Sequence, residues 1–150
     1  MPGTLRWGIL APGGIADLQT TDLLGAGFIV TAVGSRNLDR AREFAERFGI
    51  PTAHESYADL VNDPEVDIVY VASPHSGHYA HAKLALEAGK HVLVEKAFTV
   101  TEPQAQALAD LAAVKGVVLM EAMWTRFLPH MVRIREIIAA GTVGEVRTMI

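Results

Sequence analysis

The chain has 150 residues, half of them apolar and a fifth charged, with a formal net charge of −4 and no cysteine. That length supports one domain with an adequate core and leaves little room for a second. The missing cysteine excludes disulfides, thiolate metal sites and cysteine nucleophiles, and the mild, unclustered charge argues against nucleic acid or an anionic membrane as the main partner.

The N-terminus has no long apolar stretch behind a basic segment, and no run is long enough to span a bilayer, so a soluble cytoplasmic protein is expected. Leu5 to Ala11 is a short apolar run that meets Pro12-Gly13-Gly14, which reads as a strand entering a turn. Phe28 to Gly34 follows, rich in Val, Ile and Thr, and then Ile68 to Ala72, His91 to Val94 and Val117 to Met120. These runs are continuous rather than alternating, as expected of parallel strands covered on both faces.

Helical patterns lie between the strands. Asn37 is placed to cap a helix running to about Phe48, with Gly49 as its stop. His78 to Ala88 reads as a helix closed by Gly89. Thr101-Glu102-Pro103-Gln104 has the form of a capping box with proline in the first turn. Behind it Ala105, Leu108, Ala109 and Ala112 make one apolar face, ended by Gly116. A last helix carries Met131, Ile134 and Ile138 on one side and stops at Gly141. Repeated strand and helix units force right-handed crossovers, so the expected fold is α/β, a doubly wound parallel sheet of the Rossmann type.

The first strand runs into Ala11-Pro12-Gly13-Gly14-Ile15-Ala16, where a dinucleotide fold needs small residues and free helix amides for the pyrophosphate. Gly13 and Ala16 fit the second and third positions of G-x-G-x-x-[GA], while Ala11 takes the first, so the fingerprint is imperfect. Ala11, Gly13, Gly14 and Ile15 are the candidate phosphate contacts; the alternative is a glycine-rich turn that only reverses the chain.

The second strand ends in Ser35-Arg36, with Arg40 one helical turn on. An NAD site usually has an acidic residue here, whereas a 2′-phosphate calls for a cation and small donors. These three residues therefore point to NADP, with NAD as the alternative cofactor; solvated surface arginines are the other reading.

Two more strand ends carry polar groups, Ser73-Pro74-His75 with His78, and Glu95-Lys96. Ligands bind beyond the carboxyl ends of strands in such sheets, so these residues are candidate cofactor contacts. Lys96 is the candidate catalytic group, polarising or protonating a substrate oxygen. It competes with a plain surface pair of Glu95 and Lys96. His75, His78 and His81 are spaced by three, but no carboxylate or cysteine joins them locally, and no metal is expected.

Together these pieces resemble the N-terminal domain of the glucose–fructose oxidoreductase, inositol dehydrogenase and rhizopine-catabolism (Gfo/Idh/MocA) family. The resemblance rests on Trp7-Gly8-Ile9-Leu10, the Gly13 turn, Ser35-Arg36, Ser73-Pro74-His75, His78 and Ala88 to Lys96. Met120-Glu121-Ala122-Met123-Trp124-Thr125-Arg126-Phe127 looks most like the dihydrodiol and NADP-dependent xylose dehydrogenases of that family. The resemblance implies hydride transfer between a nicotinamide and a secondary alcohol of a sugar, polyol or cyclic diol. It makes Lys96 the contact to the substrate oxygen. Trp124 and Arg126 would touch cofactor, and Trp124 and Phe127 substrate; an aromatic pair packed under a surface arginine is the alternative.

Ala97 stands where the family usually has proline. A cis peptide without proline costs about 3 kcal/mol, so a trans bond is expected there. Residues 1–143 would form the dinucleotide-binding domain, and 144–150 would open a C-terminal α+β substrate domain that the chain lacks. In the family that domain carries the oligomer interface, so the full-length protein is expected to be a homo-oligomer. A non-catalytic dinucleotide sensor of the same family is the competing function. A methyltransferase is disfavoured by Ser35-Arg36, and a P-loop by the absence of Gly-Lys-Ser/Thr after the turn.

Overall fold

The computed structural model describes residues 5–148. Six strands form one parallel sheet in the order β3-β2-β1-β4-β5-β6. They are β1 (Arg6–Leu10), β2 (Ile29–Gly34), β3 (Thr52–His54), β4 (Ile68–Val71), β5 (His91–Val94) and β6 (Leu119–Glu121). The helices are α1 (Gly14–Gly25), α2 (Leu38–Phe48), α3 (Tyr57–Asn62), α4 (His78–Glu87), α5 (Glu102–Lys115) and α6 (Pro129–Ala139).

The continuous apolar runs are explained by coverage on both faces. Along each central strand the side chains alternate between two cores. Leu10, Ala32, Val69, Val71, Val92 and Val94 pack with Leu60, Leu86 and Leu108 from α3, α4 and α5. Ile9, Val33, Tyr70 and Leu93 pack on the opposite face with Ala16, Leu23 and Phe44 from α1 and α2. The order reverses between β1 and β4, which opens the crevice at their carboxyl ends.

Several caps follow their sequence signals. The Asn37 side chain accepts from the Arg40 amide, and Gly49 and Gly116 take left-handed backbone, φ 67° at each, where they end α2 and α5. Other expectations need correcting. The element pair β3 and α3 was not anticipated. Ala11 and Phe28 fall outside their strands, and the last strand begins at Leu119 rather than Val117. Thr101 precedes α5, but its side chain makes no capping bond; Gln104 Oε1 accepts from the Val100 amide instead, at 3.3 Å. Ala109 faces outward, so Leu111 completes the inner face with Leu108 and Ala112. Ile134 and Ile138 of α6 remain substantially exposed.

The Lys96–Ala97 peptide bond is cis, not trans. The Lys96 carbonyl of that bond and the Ala97 carbonyl after it accept hydrogen bonds from His75 and His78, partners that local sequence pattern does not announce. Residues 144–148, read from sequence as the start of a further strand, are irregular; 149 and 150 lie outside the described residues. Among the described residues, no helix is long and apolar enough to cross a membrane.

Candidate functional site

The phosphate turn is built by the end of β1. Ala11 adopts φ 69°, and its amide donates to the Gly34 carbonyl at 3.0 Å, tying the end of β1 to the end of β2. The chain then passes Pro12 and Gly13 into α1, whose first amides have no carbonyl within the helix to bond. A Cβ on Gly13 or Gly14 would meet no protein atom within 4 Å. The glycines are therefore not demanded by the protein's own packing, and they leave the turn's backbone open to a ligand.

Beside this turn lies a cleft of about 760 Å³. Ala11, Gly13 and Ile15 line one side, Ser35, Arg36 and Arg40 another, and Ser73 and Pro74 a third. Ser35 is buried and its Oγ accepts from the Asn37 amide at 3.2 Å, whereas the Arg36 and Arg40 side chains are exposed. Gly14 instead borders a neighbouring hollow with Arg40 and Arg47.

A second cleft of about 340 Å³ shares Ile15, Ser73 and Pro74 with the first and continues to His75, His78, Glu95 and Lys96. The Lys96 side chain is exposed at the end of β5. Glu95 does not form a surface pair with it. Glu95 is only 8% exposed; Tyr70 Oη donates to its Oε1 at 2.6 Å, and the Lys96 amide donates to its Oε2 at 3.0 Å. Burial and the Glu95 carboxylate push the Tyr70 phenol well above its ordinary value, which keeps it a hydrogen-bond donor.

The three histidines do not converge. His75 Nε2 lies 2.9 Å from the Lys96 carbonyl, and His81 Nδ1 lies 2.8 Å from Ser73 Oγ. His78 is fully buried, with Nδ1 2.8 Å from the Ala97 carbonyl and Nε2 2.8 Å from that of Ser73. It bridges the two turns and has no ring nitrogen left for a ligand. Among the described residues no group of three His, Asp or Glu could hold a metal ion.

Trp124, Arg126 and Phe127 are not brought to either cleft wall. They occupy a 3₁₀ turn after β6, with Trp124 64% and Phe127 59% exposed, and the Arg126 carbonyl accepts from Arg135. Sequence reasoning missed three residues at the site. Tyr57 lines the large cleft and meets the His81 ring edge-on at 4.7 Å. Tyr70 and Glu121 act from beneath, and only their contacts across 25 and 23 residues of sequence reveal them.

The arrangement is an open trough along the carboxyl edge of the sheet. It has cations at one end, helix amides in the middle and a lysine at the other end, groups that can receive anions and polar oxygens along its length.

Known proteins agree with this geometry. The GFO_IDH_MocA family model, described as an oxidoreductase family with an NAD-binding Rossmann fold, matches residues 5–123. A D-xylose 1-dehydrogenase (NADP(+)) of Hypocrea jecorina is 51% identical, covering 97% of this chain and 40% of that protein. A trans-1,2-dihydrobenzene-1,2-diol dehydrogenase of Mus musculus is 43% identical, covering 95% of this chain and 44% of that protein. The 3-ketoreductase KijD10 of Actinomadura kijaniata, solved with TDP-benzene and NADP, superposes with a TM-score of 0.85 at 37% identity, over 97% of this chain and 46% of that one. The chain thus spans less than half the length of these relatives. It belongs to the Gfo/Idh/MocA oxidoreductase family, as a Rossmann domain of the NAD-binding type.

Proposed function

We propose that residues 1–143 form the NADP-binding unit of an oxidoreductase that moves a hydride between the nicotinamide and a secondary alcohol of a sugar, polyol or cyclic diol. The observation that carries this reading is the continuity of the two clefts through Ile15, Ser73 and Pro74, with Arg36 and Arg40 at one end and Lys96 at the other. The names of the xylose and dihydrodiol dehydrogenases support the substrate class, and those of the xylose dehydrogenase and KijD10 support NADP.

In this reading Arg36 and Arg40 take the 2′-phosphate, Arg36 as a planar fork that suits two phosphate oxygens. The amides at Gly13, Gly14 and Ile15 take the pyrophosphate. The bound nicotinamide supplies the hydride donor or acceptor. Lys96 holds the substrate oxygen and lends or takes its proton as the C–O bond order changes. Glu95, already bonded to Tyr70 and to the Lys96 amide, supports the backbone that aims the lysine. Trp124 and Phe127 offer apolar surface on the substrate side, and Arg126 a cation near the cofactor. The same reading makes the intact protein a cytoplasmic homo-oligomer whose partners are small molecules rather than nucleic acid or membrane.

Titration with NADPH and with NADH tests the cofactor assignment. NADPH should bind at least about tenfold tighter, a difference of about 1.4 kcal/mol, and Arg36→Ala should erase most of that difference. Equal affinities in the unmodified protein would refute the 2′-phosphate site. Binding of neither would refute the cofactor reading.

A further inference from the structure

The turn that aims Lys96 is held by four side chains, one from the residue just before it and three from elsewhere in the fold. The Lys96 amide donates to Glu95 Oε2. The Lys96 carbonyl faces His75 Nε2 at 2.9 Å, and the Ala97 carbonyl faces His78 Nδ1 at 2.8 Å. The Phe98 amide donates to Glu121 Oε1 at 2.9 Å. From the Lys96 amide to the Phe98 amide, only the Ala97 N–H lacks a side-chain partner. No proline ring restricts residue 97, so these bonds are what restrain the turn. The lysine's long flexible stem cannot supply direction by itself.

Glu121 differs from the other clamps. His75, His78 and Glu95 all line the second cleft, whereas Glu121 lies outside both clefts on β6 and reaches the turn from the sheet edge. Its carboxylate accepts an amide hydrogen, a charge-assisted bond stronger than a neutral one.

We propose that Glu121 is a positioning residue for Lys96, fixing through the Phe98 amide the backbone that presents the lysine to the nicotinamide end of the trough. This rests on the NADP site proposed above. A bond of this kind acts by geometry, and small misplacements at a reacting centre carry large penalties.

The test compares Glu121→Ala with Glu121→Gln, which keeps an oxygen for the Phe98 amide. Two probes are titrated: NADPH, which spans the trough, and adenosine 2′,5′-bisphosphate, which reaches only the arginine end. Glu121→Ala should weaken NADPH on the order of tenfold and leave the bisphosphate within about twofold, while Glu121→Gln stays near the unmodified protein. Equal weakening of both probes by Glu121→Ala would mean a general loss of structure and would overturn the proposal, as would unchanged NADPH affinity.

Amide hydrogen exchange at Lys96 and Phe98 supplies a ligand-free readout. It should quicken in Glu121→Ala while the β1 amides stay protected. If the unmodified protein binds neither probe, the cofactor reading fails. Exchange then decides the positioning role alone, with an unchanged Phe98 rate overturning it.

Discussion

Ala11 is the one non-glycine residue among those described with left-handed backbone, at φ 69°. For an L-residue that conformation costs about 1–2 kcal/mol through crowding between Cβ and the following carbonyl oxygen. The bond from its amide to the Gly34 carbonyl holds it there, and this twist delivers Pro12 and Gly13 to the crevice. Ala11→Gly relieves the crowding but gives the unfolded chain more freedom, a loss of about 0.4–1 kcal/mol. The net expectation is a gain between zero and about 1.6 kcal/mol, read as a rise in the denaturant midpoint at unchanged m, with NADPH affinity retained. A loss of more than about 1 kcal/mol would show that the methyl group packs to advantage. The fingerprint spacing already marks this position as one for a small residue. The sign of φ there is legible only in the folded chain. Glu95 is less legible still, because it reads as a surface partner for Lys96 until the buried Tyr70 phenol is seen to claim it.

Elements with enough length to show a period, and glycines at their ends, were readable before folding. α2, α4 and α5 lie close to where Asn37, Gly49, Gly89 and Gly116 place their limits. β3 and α3 were not, since three and six residues are too few for a hydrophobic period to declare itself. Their contribution is tertiary. β3 pairs with the end of β2 through Gly34↔His54, and α3 presses Leu60 onto Gly34. A Cβ on Gly34 would lie 2.8 Å from Leu60 Cβ and 3.2 Å from the Ser56 carbonyl. Neither atom can swing aside, because one is fixed to the α3 backbone and the other is the backbone carbonyl of Ser56, which caps α3 and accepts from the Leu60 amide. Gly34→Ala should therefore destabilise the protein by about 1–3 kcal/mol, measured by thermal or urea unfolding. It should also weaken NADPH binding, because Ser35 and Arg36 follow directly. A variant as stable as the unmodified protein would show that α3 can move away freely. The exposed Trp124 and Phe127 mark the other limit of the sequence. Their motif is recognisable, yet none of the described elements covers them, so the chain's own packing does not place them at the trough.

Across the whole molecule, His81 near the carboxyl end of β4 and the carboxylates Asp63 and Asp67 before its start make stability fall on acidification, in separate pH ranges. His81 is pushed below its ordinary value by burial first, then by the charges of Arg36 and His78. Below about pH 6.5 the unfolded chain takes up that proton more readily than the folded one, so stability declines from there downward. Asp67 is lowered from 3.8 to about 2, chiefly by the hydrogen bond from the Arg6 side chain. Its contribution is present above pH 3.8 and is lost as pH falls through about 2. With roughly a third of the Asp67 side chain exposed, solvent screening reduces that contribution to about 1 kcal/mol. Urea midpoints measured from pH 8 to 2 should then fall in two stages. Asp67→Asn should shrink the lower stage, to which Asp63 also contributes, and His81→Gln should remove most of the upper one. Arg36→Ala deletes one of the charges that hold His81 down, so the His81 ring, followed by its Cε1 proton resonance, should titrate at higher pH in that variant. An unmoved resonance would mean that the Arg36 guanidinium stays away from Ser73 and His81 in solution. The cationic end of the trough would then be more open than its geometry indicates, and the 2′-phosphate assignment would lose its partner.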